Sequence, residues 1–418
     1  MSYIGIIAEY NPFHNGHKYQ LQESLNLSGA DGAIALMSGN FTQRGTPAMA
    51  DKYTRAHAAV IGGLDAVFEL PVIYATGSSR DFAEGAVGIL GKMSEVDYLA
   101  FGVEDDEINL FYEISDILVH EPEEYKTNLN TFLSKGFSYP NASEKALKKI
   151  LGNSISDIIS KPNNILAISY MVAMQKQKSR LRPIIVKRND EGYSNKKLTG
   201  KYSSATAIRH ALRNNESIKP YVPKESIMVY KDYLIKNLPD PEWLSPYIVS
   251  RLIYDRNLPP QISNLEGVMD MTPELLNRIR KVPLPVKYIE LQDYLKTKNM
   301  TMSRITRVLL HIVLGILSEV RNSAAENGYG EYANLLAISE NGSKIVKTIS
   351  ASPDITVINK KSTYTPSDAF NESLWETDKL STDLYNQLIY DHINVRLHSE
   401  LTSSVRGTTQ ENKKKNKE

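Results

Sequence analysis

The feature that most narrows the fold lies in the first 17 residues. An apolar run, Tyr3-Ile4-Gly5-Ile6-Ile7-Ala8-Glu9-Tyr10, passes directly into Asn11-Pro12-Phe13-His14-Asn15-Gly16-His17. A short, Ile-rich run closed by a Pro and Gly turn reads as a buried strand feeding a helix, the unit from which parallel α/β sheets are built. Pro12 fixes one φ angle, and Gly16 lets backbone and ligand approach without an intervening Cβ. A turn of this kind at a helix N-terminus is an anion site, leaving His14 and His17 facing a bound phosphate. With 8 His and 23 Gly in 418 residues, His-x-Gly-His is expected by chance on the order of 0.01 times.

Alternation of short apolar runs and helical stretches continues through the first 210 or so residues. Strands are expected at Tyr3 to Tyr10, Gly32 to Ser38, Ala66 to Leu70, Asp97 to Gly102 and Pro183 to Lys187. Helices are expected at His17 to Leu27, Ala50 to Gly62 and Ser79 to Lys92, with a long helical stretch from Glu107 to about Leu151. In such sheets the ligand lies beyond the carboxyl ends of the strands. From Pro220-Tyr221-Val222-Pro223 onward amphipathic helix dominates, with weaker strand signals at Lys344 to Ser350 and Asp354 to Val357. A chain of this length is expected to form more than one domain. The division expected is a catalytic domain over 1–212, a mainly helical domain over 213–401 with RNA binding as its role, and a disordered basic tail over 402–418.

Composition excludes some chemistry. There are no cysteines, hence no disulfides, thiolate nucleophiles or Cys-based zinc sites. A hydrophobic content of 41% and a charged content of 23% are those of a globular protein. The absence of a long apolar span and of a signal-like N-terminus leads to the expectation of a cytoplasmic protein without membrane contact. The net charge of +1 leaves open a local basic face for nucleic acid.

Two further constellations share the expected rim. Met37-Ser38-Gly39-Asn40-Phe41-Thr42-Gln43-Arg44-Gly45 follows a strand, and Ser38, Asn40, Arg44 and the following Lys52 are candidates for phosphate or substrate contacts. Asp51 is a candidate helix cap, with Lys52 and Arg55 projecting toward a phosphate. Lys201-Tyr202-Ser203-Ser204-Ala205-Thr206-Ala207-Ile208-Arg209 places hydroxyls at a helix start, with Ser204, Thr206 and Arg209 able to meet an anion. Read alone, Ser-x-Thr-x-x-Arg is a helix cap. In the later half, Arg304, Arg307 and His311 fall at i, i+3 and i+7 and are candidates for an RNA-facing helix, which Lys176, Lys178, Arg180 and Arg182 could extend.

The order of strand, His-x-Gly-His, several βα units, a late strand ending at Arg188 and then Ser-Ala-Thr-Ala-Ile-Arg resembles the nucleotidylyltransferase superfamily. Taken with Glu69-Leu70-Pro71-Val72, Asp97-Tyr98-Leu99-Ala100-Phe101-Gly102 and Lys161-Pro162-Asn163-Asn164-Ile165-Leu166, the chain resembles the bacterial tRNA(Met) cytidine acetate ligase family. The match is specific over about the first 210 residues. It continues more loosely through Met302-Ser303-Arg304-Ile305-Thr306-Arg307-Val308-Leu309-Leu310-His311 and Asn341-Gly342-Ser343-Lys344.

The resemblance implies an α/β fold, a nucleotidylyltransferase-like (Rossmann-like, HxGH) parallel-sheet N-terminal domain joined to a mainly α-helical C-terminal domain. It implies use of ATP and acetate to form acetyl-adenylate, with acetylation of N4 of the wobble cytidine of elongator tRNA(Met), and Mg²⁺ as companion ion. It places ATP on Ile7-Ala8-Glu9-Tyr10-Asn11-Pro12-Phe13-His14-Asn15-Gly16-His17-Lys18-Tyr19-Gln20, Gly102, Asn163 and Arg188. His14, His17, Arg188 and Arg209 become the catalytic candidates. Two positions depart from the family: Val103, where Ser is common, and Ser194, where His is common. On the residues alone two other readings stay open, a nucleotidylyltransferase of a small phosphorylated metabolite and a non-catalytic RNA-binding protein on the same fold.

Overall fold

The computed structural model describes residues 1–188, 198, 202–230, 238–259, 263–298 and 300–408. Gly192-Tyr193-Ser194-Asn195 and residues 409–418 lie outside them.

One mixed, mostly parallel sheet organises the chain. Its strands are β1 (Tyr3–Ala8), β2 (Gly32–Ser38), β3 (Ala66–Leu70), β4 (Val96–Val103), β5 (Arg182–Lys187), β6 (Tyr332–Ile338), β7 (Thr356–Ile358) and β8 (Arg406–Gly407). The order is β5-β4-β1-β2-β3-β6-β7, with β8 also paired to β6. β1 to β5 run parallel, and β6 runs antiparallel to β3. The sequence moves from β1 outward to β2 and β3, then returns to place β4 on the other side of β1. This reversal opens a crevice beyond the carboxyl end of β1, where an open α/β sheet holds its ligand.

β2 is buried along its whole length, as a central strand covered on both faces must be. On one face α1 (Asn15–Ser28) and α2 (Lys52–Ile61) cover Ile4, Ile6, Ala33, Ala35 and Met37. On the other, α4 (Ser79–Gly91) and α8 (Pro162–Lys176) pack on Ile34, Leu36, Leu99 and Phe101. Each such fully buried large apolar side chain contributes about 1.5–3 kcal/mol. Ahead of α4, α3 (Val72–Ala75) is a single turn, and the helical stretch after Glu107 breaks into α5 (Ile108–His120), α6 (Glu123–Ser134) and α7 (Tyr139–Leu151). Pro122 and Gly136 stand at the two breaks.

The later part of the chain departs from expectation in three places. Lys344 to Ser350, read as a strand, belongs to the helix Gly342–Ser350, because Ile345, Val346 and Ile349 fall on one helical face and are buried. Tyr332–Ile338, not anticipated, is a buried strand that extends the N-terminal sheet on its β3 edge. Residues 402–408, read as part of a disordered tail, include the end of a 3₁₀ turn at Glu400–Thr402 and β8. No helix among the described residues is long and apolar enough to cross a membrane.

Candidate functional site

At the end of β1 the chain turns sharply: Tyr10 takes a positive φ of 45° and the Asn11–Pro12 peptide is cis. Arg55, wholly buried on α2, fixes this rim by donating to the backbone oxygens of Glu9, Ser38, Gly39 and Ala50. Helix α1 then begins at a reciprocal cap made by the two histidines. The Gly16 amide donates to His14 Nδ1 at 3.1 Å, and the His14 amide donates to His17 Nδ1 at 3.2 Å. With both Nδ1 atoms accepting, each neutral ring carries its hydrogen on Nε2, the tautomer that presents a donor. The rings stack with centroids 3.7 Å apart. A Cβ on Gly16 would lie 2.9 Å from the His14 ring, so only glycine tolerates this approach.

His17 is held well below the ordinary imidazole range, first by removal from water and then by the charges of His14 and Arg188. His311, on the helix Met302–Leu314, is likewise lowered by burial. The unfolded chain takes up protons on these residues from about pH 6.5 downward, whereas the native protein takes them up only at lower pH. Their stabilisation is therefore present in full above pH 6.5 and lost as pH falls from there toward the folded values. The buried Asp378 carboxyl, pushed up to about 8, contributes with the opposite sign over the same interval, so the histidine part is read as a difference: between pH 6.5 and 5.5 the wild type should lose melting temperature relative to a His311→Asn variant, and parallel profiles contradict this account.

The histidines open on a cavity of 430 Å³ that runs over the top of the sheet. Gly102, at the end of β4, lines it where a Cβ would come 3.0 Å from Arg188 Cγ, so the arginine stem lies across the glycine. The Arg188 amide donates to the Val103 carbonyl at 2.8 Å, and its guanidinium reaches Asn163 Oδ1 at 3.5 Å. Asn163 is itself held by Glu104. Helix α9 (Ala205–Arg213) points its N-terminus into the same space, capped by Ser204 Oγ, which accepts the Ala207 amide. Arg209 donates to the Asn11 carbonyl at 2.5 Å and to Thr206 Oγ1 at 3.4 Å, tying this helix to the histidine turn.

Of the residues read from sequence, Ile7, Ala8, Glu9, Tyr10, Asn11, His14, His17, Gln20, Arg44, Gly102, Asn163, Arg188, Ser204, Thr206 and Arg209 all line this cavity. Pro12, Phe13, Asn15, Gly16, Lys18 and Tyr19 do not line it. Phe13 is buried in the core, Asn15 bonds the Pro220 carbonyl and Lys18 lies 3.9 Å from Glu225. Ser38 and Asn40 are also buried away from the cavity. Lys52 does not face a phosphate, since it is fully buried between Glu69 and Glu400. The RNA-facing helix is corrected as well: His311 is buried against Thr76 and Met269, Arg307 pairs with Asp270 at 2.9 Å, and Arg304 donates to the Asp270 carbonyl. Arg180 pairs with Asp97 and Arg182 covers the Tyr98 ring, at the end of the sheet remote from the cavity.

Sequence reading missed Phe82, Phe101, Leu166, Tyr170, His210 and Arg213, which also line the wall. The apolar four sit at helix or strand spacing and read as core, so no local signal separates them from their buried neighbours. Val103 faces the core and gives its carbonyl to Arg188, so the departure from Ser removes a hydroxyl without disturbing that contact.

The family described as HIGH Nucleotidyl Transferase matches residues 1–400. A tRNA(Met) cytidine acetate ligase of Caldanaerobacter subterraneus is 37% identical over 389 residues, covering 92% of this chain and 95% of its own length. The tRNA(Met) cytidine acetate ligase of Acetivibrio thermocellus is 36% identical over 397 residues, with 92% and 94% covered. Among solved structures, apo Thermotoga maritima TmcAL superposes with a TM-score of 0.88 at 28% identity, over 98% of this chain and all of that one. The same protein bound with alpha-thio ATP gives 0.85 with equal identity and coverage. The chain therefore belongs to the HIGH nucleotidyl transferases and, within them, to the tRNA(Met) cytidine acetate ligase family.

Proposed function

We propose that this protein condenses acetate with ATP to acetyl-adenylate and transfers the acetyl group to N4 of the wobble cytidine of elongator tRNA(Met). The observation that carries the reading is the convergence of His14, His17, Arg188 and Arg209 on one cavity beyond the carboxyl end of β1. The names of the close relatives and the alpha-thio ATP bound to the structural neighbour support it.

Gly102, Asn163 and Arg188 receive the nucleoside, and the histidine turn with the α9 N-terminus receives the phosphates. An acetate oxygen attacks the α-phosphorus as the bond to pyrophosphate breaks. Two anions must meet, so the protein's task is to stabilise the charge gathering on phosphorus and on the departing pyrophosphate. The imidazole N–H groups and the guanidinium of Arg209 do this from fixed positions. No protein nucleophile takes part. Transfer follows when the exocyclic amine attacks the mixed anhydride carbonyl and AMP leaves. An anticodon loop offers its base unpaired, so no duplex has to be opened.

Among the described residues no cluster of three carboxylate or His side chains could cage a metal ion. That donor set does not build a protein-held Mg²⁺ site; an ion accompanying ATP would rest on phosphate oxygens and water. Arg44 and Arg213 on the cavity wall, the second also 3.6 Å from Asp240, are candidates for tRNA phosphates.

The test is exchange of labelled pyrophosphate into ATP, followed by mass spectrometry of nucleosides from elongator tRNA(Met). Exchange should require acetate, and N4-acetylcytidine should form only with ATP present. Exchange supported by a phosphorylated metabolite in place of acetate would overturn the proposal.

A further inference from the structure

The cavity has two sides, and the second has no assigned ligand. Alternation along β1 sends Ile4 and Ile6 toward α1, and sends Ile7 and, one step further, Glu9 toward α4 and α8. The histidines and Arg209 belong to the first side. On the second, Phe82 of α4, Phe101 of β4 and Leu166 and Tyr170 of α8 line the cavity, with the Phe101 and Tyr170 rings 5.5 Å apart. Glu9 is the one carboxylate on the cavity wall among the described residues. Its Oε1 is fixed by the Gln43 amide at 2.9 Å, and burial together with the Glu9 charge raises the Tyr170 phenol.

An apolar, aromatic wall carrying a single carboxylate suits a flat base that presents an amine. Triphosphate and acetate would be poorly served there, since a carboxylate repels both. Adenine is already provided for beside Gly102 and Arg188 at the β4–β5 edge. Cytosine fits: its ring takes the aromatic wall, and its N4 amine donates to a carboxylate. Uracil has an oxygen acceptor at that position and would be repelled. We infer that this side of the cavity is the cytosine pocket and that Glu9 is the base of the transfer step.

The two histidines of the turn and Tyr170 do not compete for the role. Both histidine Nδ1 atoms already accept backbone amides, and the Tyr170 phenol is buried and keeps its proton. In the step, N4 forms a bond to the acetyl carbon, the bond from that carbon to the phosphate oxygen of AMP breaks, and the N4 proton passes to Glu9 Oε2.

This inference rests on the proposed acetyl transfer to cytidine, and its test separates the two. Acetyl-adenylate is formed on wild-type, Glu9→Gln and Glu9→Asp enzymes, elongator tRNA(Met) is added, and single-turnover transfer is compared with acetate-dependent pyrophosphate exchange. Glutamine keeps an oxygen for the Gln43 backbone amide, and a melting temperature near that of the wild type reports that the variant is folded. Transfer by Glu9→Gln should fall about 10²-fold or more, far beyond any loss in exchange, and Glu9→Asp should recover part of it. Transfer by Glu9→Gln at the wild-type rate, or exchange lost as deeply as transfer, overturns the assignment alone. A wild-type enzyme that makes no N4-acetylcytidine overturns the functional reading and this inference with it.

Discussion

Removing either histidine of the turn is expected to lower acetate-dependent pyrophosphate exchange by about 10² to 10³-fold, the usual cost of deleting one preorganised donor to transition-state charge. The two substitutions are not equivalent. His14 is also the cap of α1, its Nδ1 accepting the Gly16 amide, so His14→Ala adds a capping loss of about 1 kcal/mol to the catalytic one. His14→Asn restores a good cap and should recover stability while leaving exchange depressed. His17 holds the His14 amide through Nδ1 and stacks on its ring, so the pair acts as a unit. The double variant should then lose far less than the product of the single losses. Steady-state exchange and melting temperature, measured together on the wild type and the four variants, check this. Exchange within threefold of wild type in His17→Ala would remove the histidines from the chemistry.

What the sequence made legible follows from how local each signal is. The edges of β2 and β3 coincide with the apolar runs that define them, because both strands are buried along their length and Glu69 is the single charged residue that interrupts either run. The histidine turn and the Ser204 cap were readable for the same reason, since each is set by residues within three or four positions. Lys52 was misread as a phosphate contact because its partners Glu69 and Glu400 are distant in sequence, and nothing near Lys52 announces a buried ion pair. His311 and Arg307 fell on one helix face as expected, but Thr76, Met269 and Asp270 occupy that face. β6 was overlooked because an isolated buried run cannot be told from helix by periodicity alone. Glu9 was visible only as a member of the phosphate turn, and its separate neighbourhood emerges once α4 and α8 are in place.

The other large effect is expected from Lys52→Met, which should be severely destabilising. The Lys52 ammonium lies 2.6 Å from Glu69 and 2.7 Å from Glu400, with all three side chains buried. Asn334 donates to both carboxylates, and Tyr53 and Thr382 donate to Glu400. Burial works against the Glu400 carboxylate, yet Lys52 and these donors hold it below its ordinary range, whereas burial leaves Glu69 raised. Deleting the cation that bonds both leaves two carboxylates facing each other in the interior. Breaking a buried pair in this way costs about 3–5 kcal/mol. Glu400→Gln should cost much less, since the amide keeps an oxygen for Tyr53 and Asn334 and leaves Lys52 paired to Glu69. The consequence reaches the active site: the Lys52 amide donates to Asn40 Oδ1, and the loop following Asn40 carries Arg44 to the cavity. Glu400 comes from the far end of the chain, so the C-terminal segment locks the floor beneath that loop, and shortening the chain before Glu400 should destabilise it as Lys52→Met does. Thermal melting of the three variants tests the order, and a Lys52→Met protein melting with the wild type would refute it.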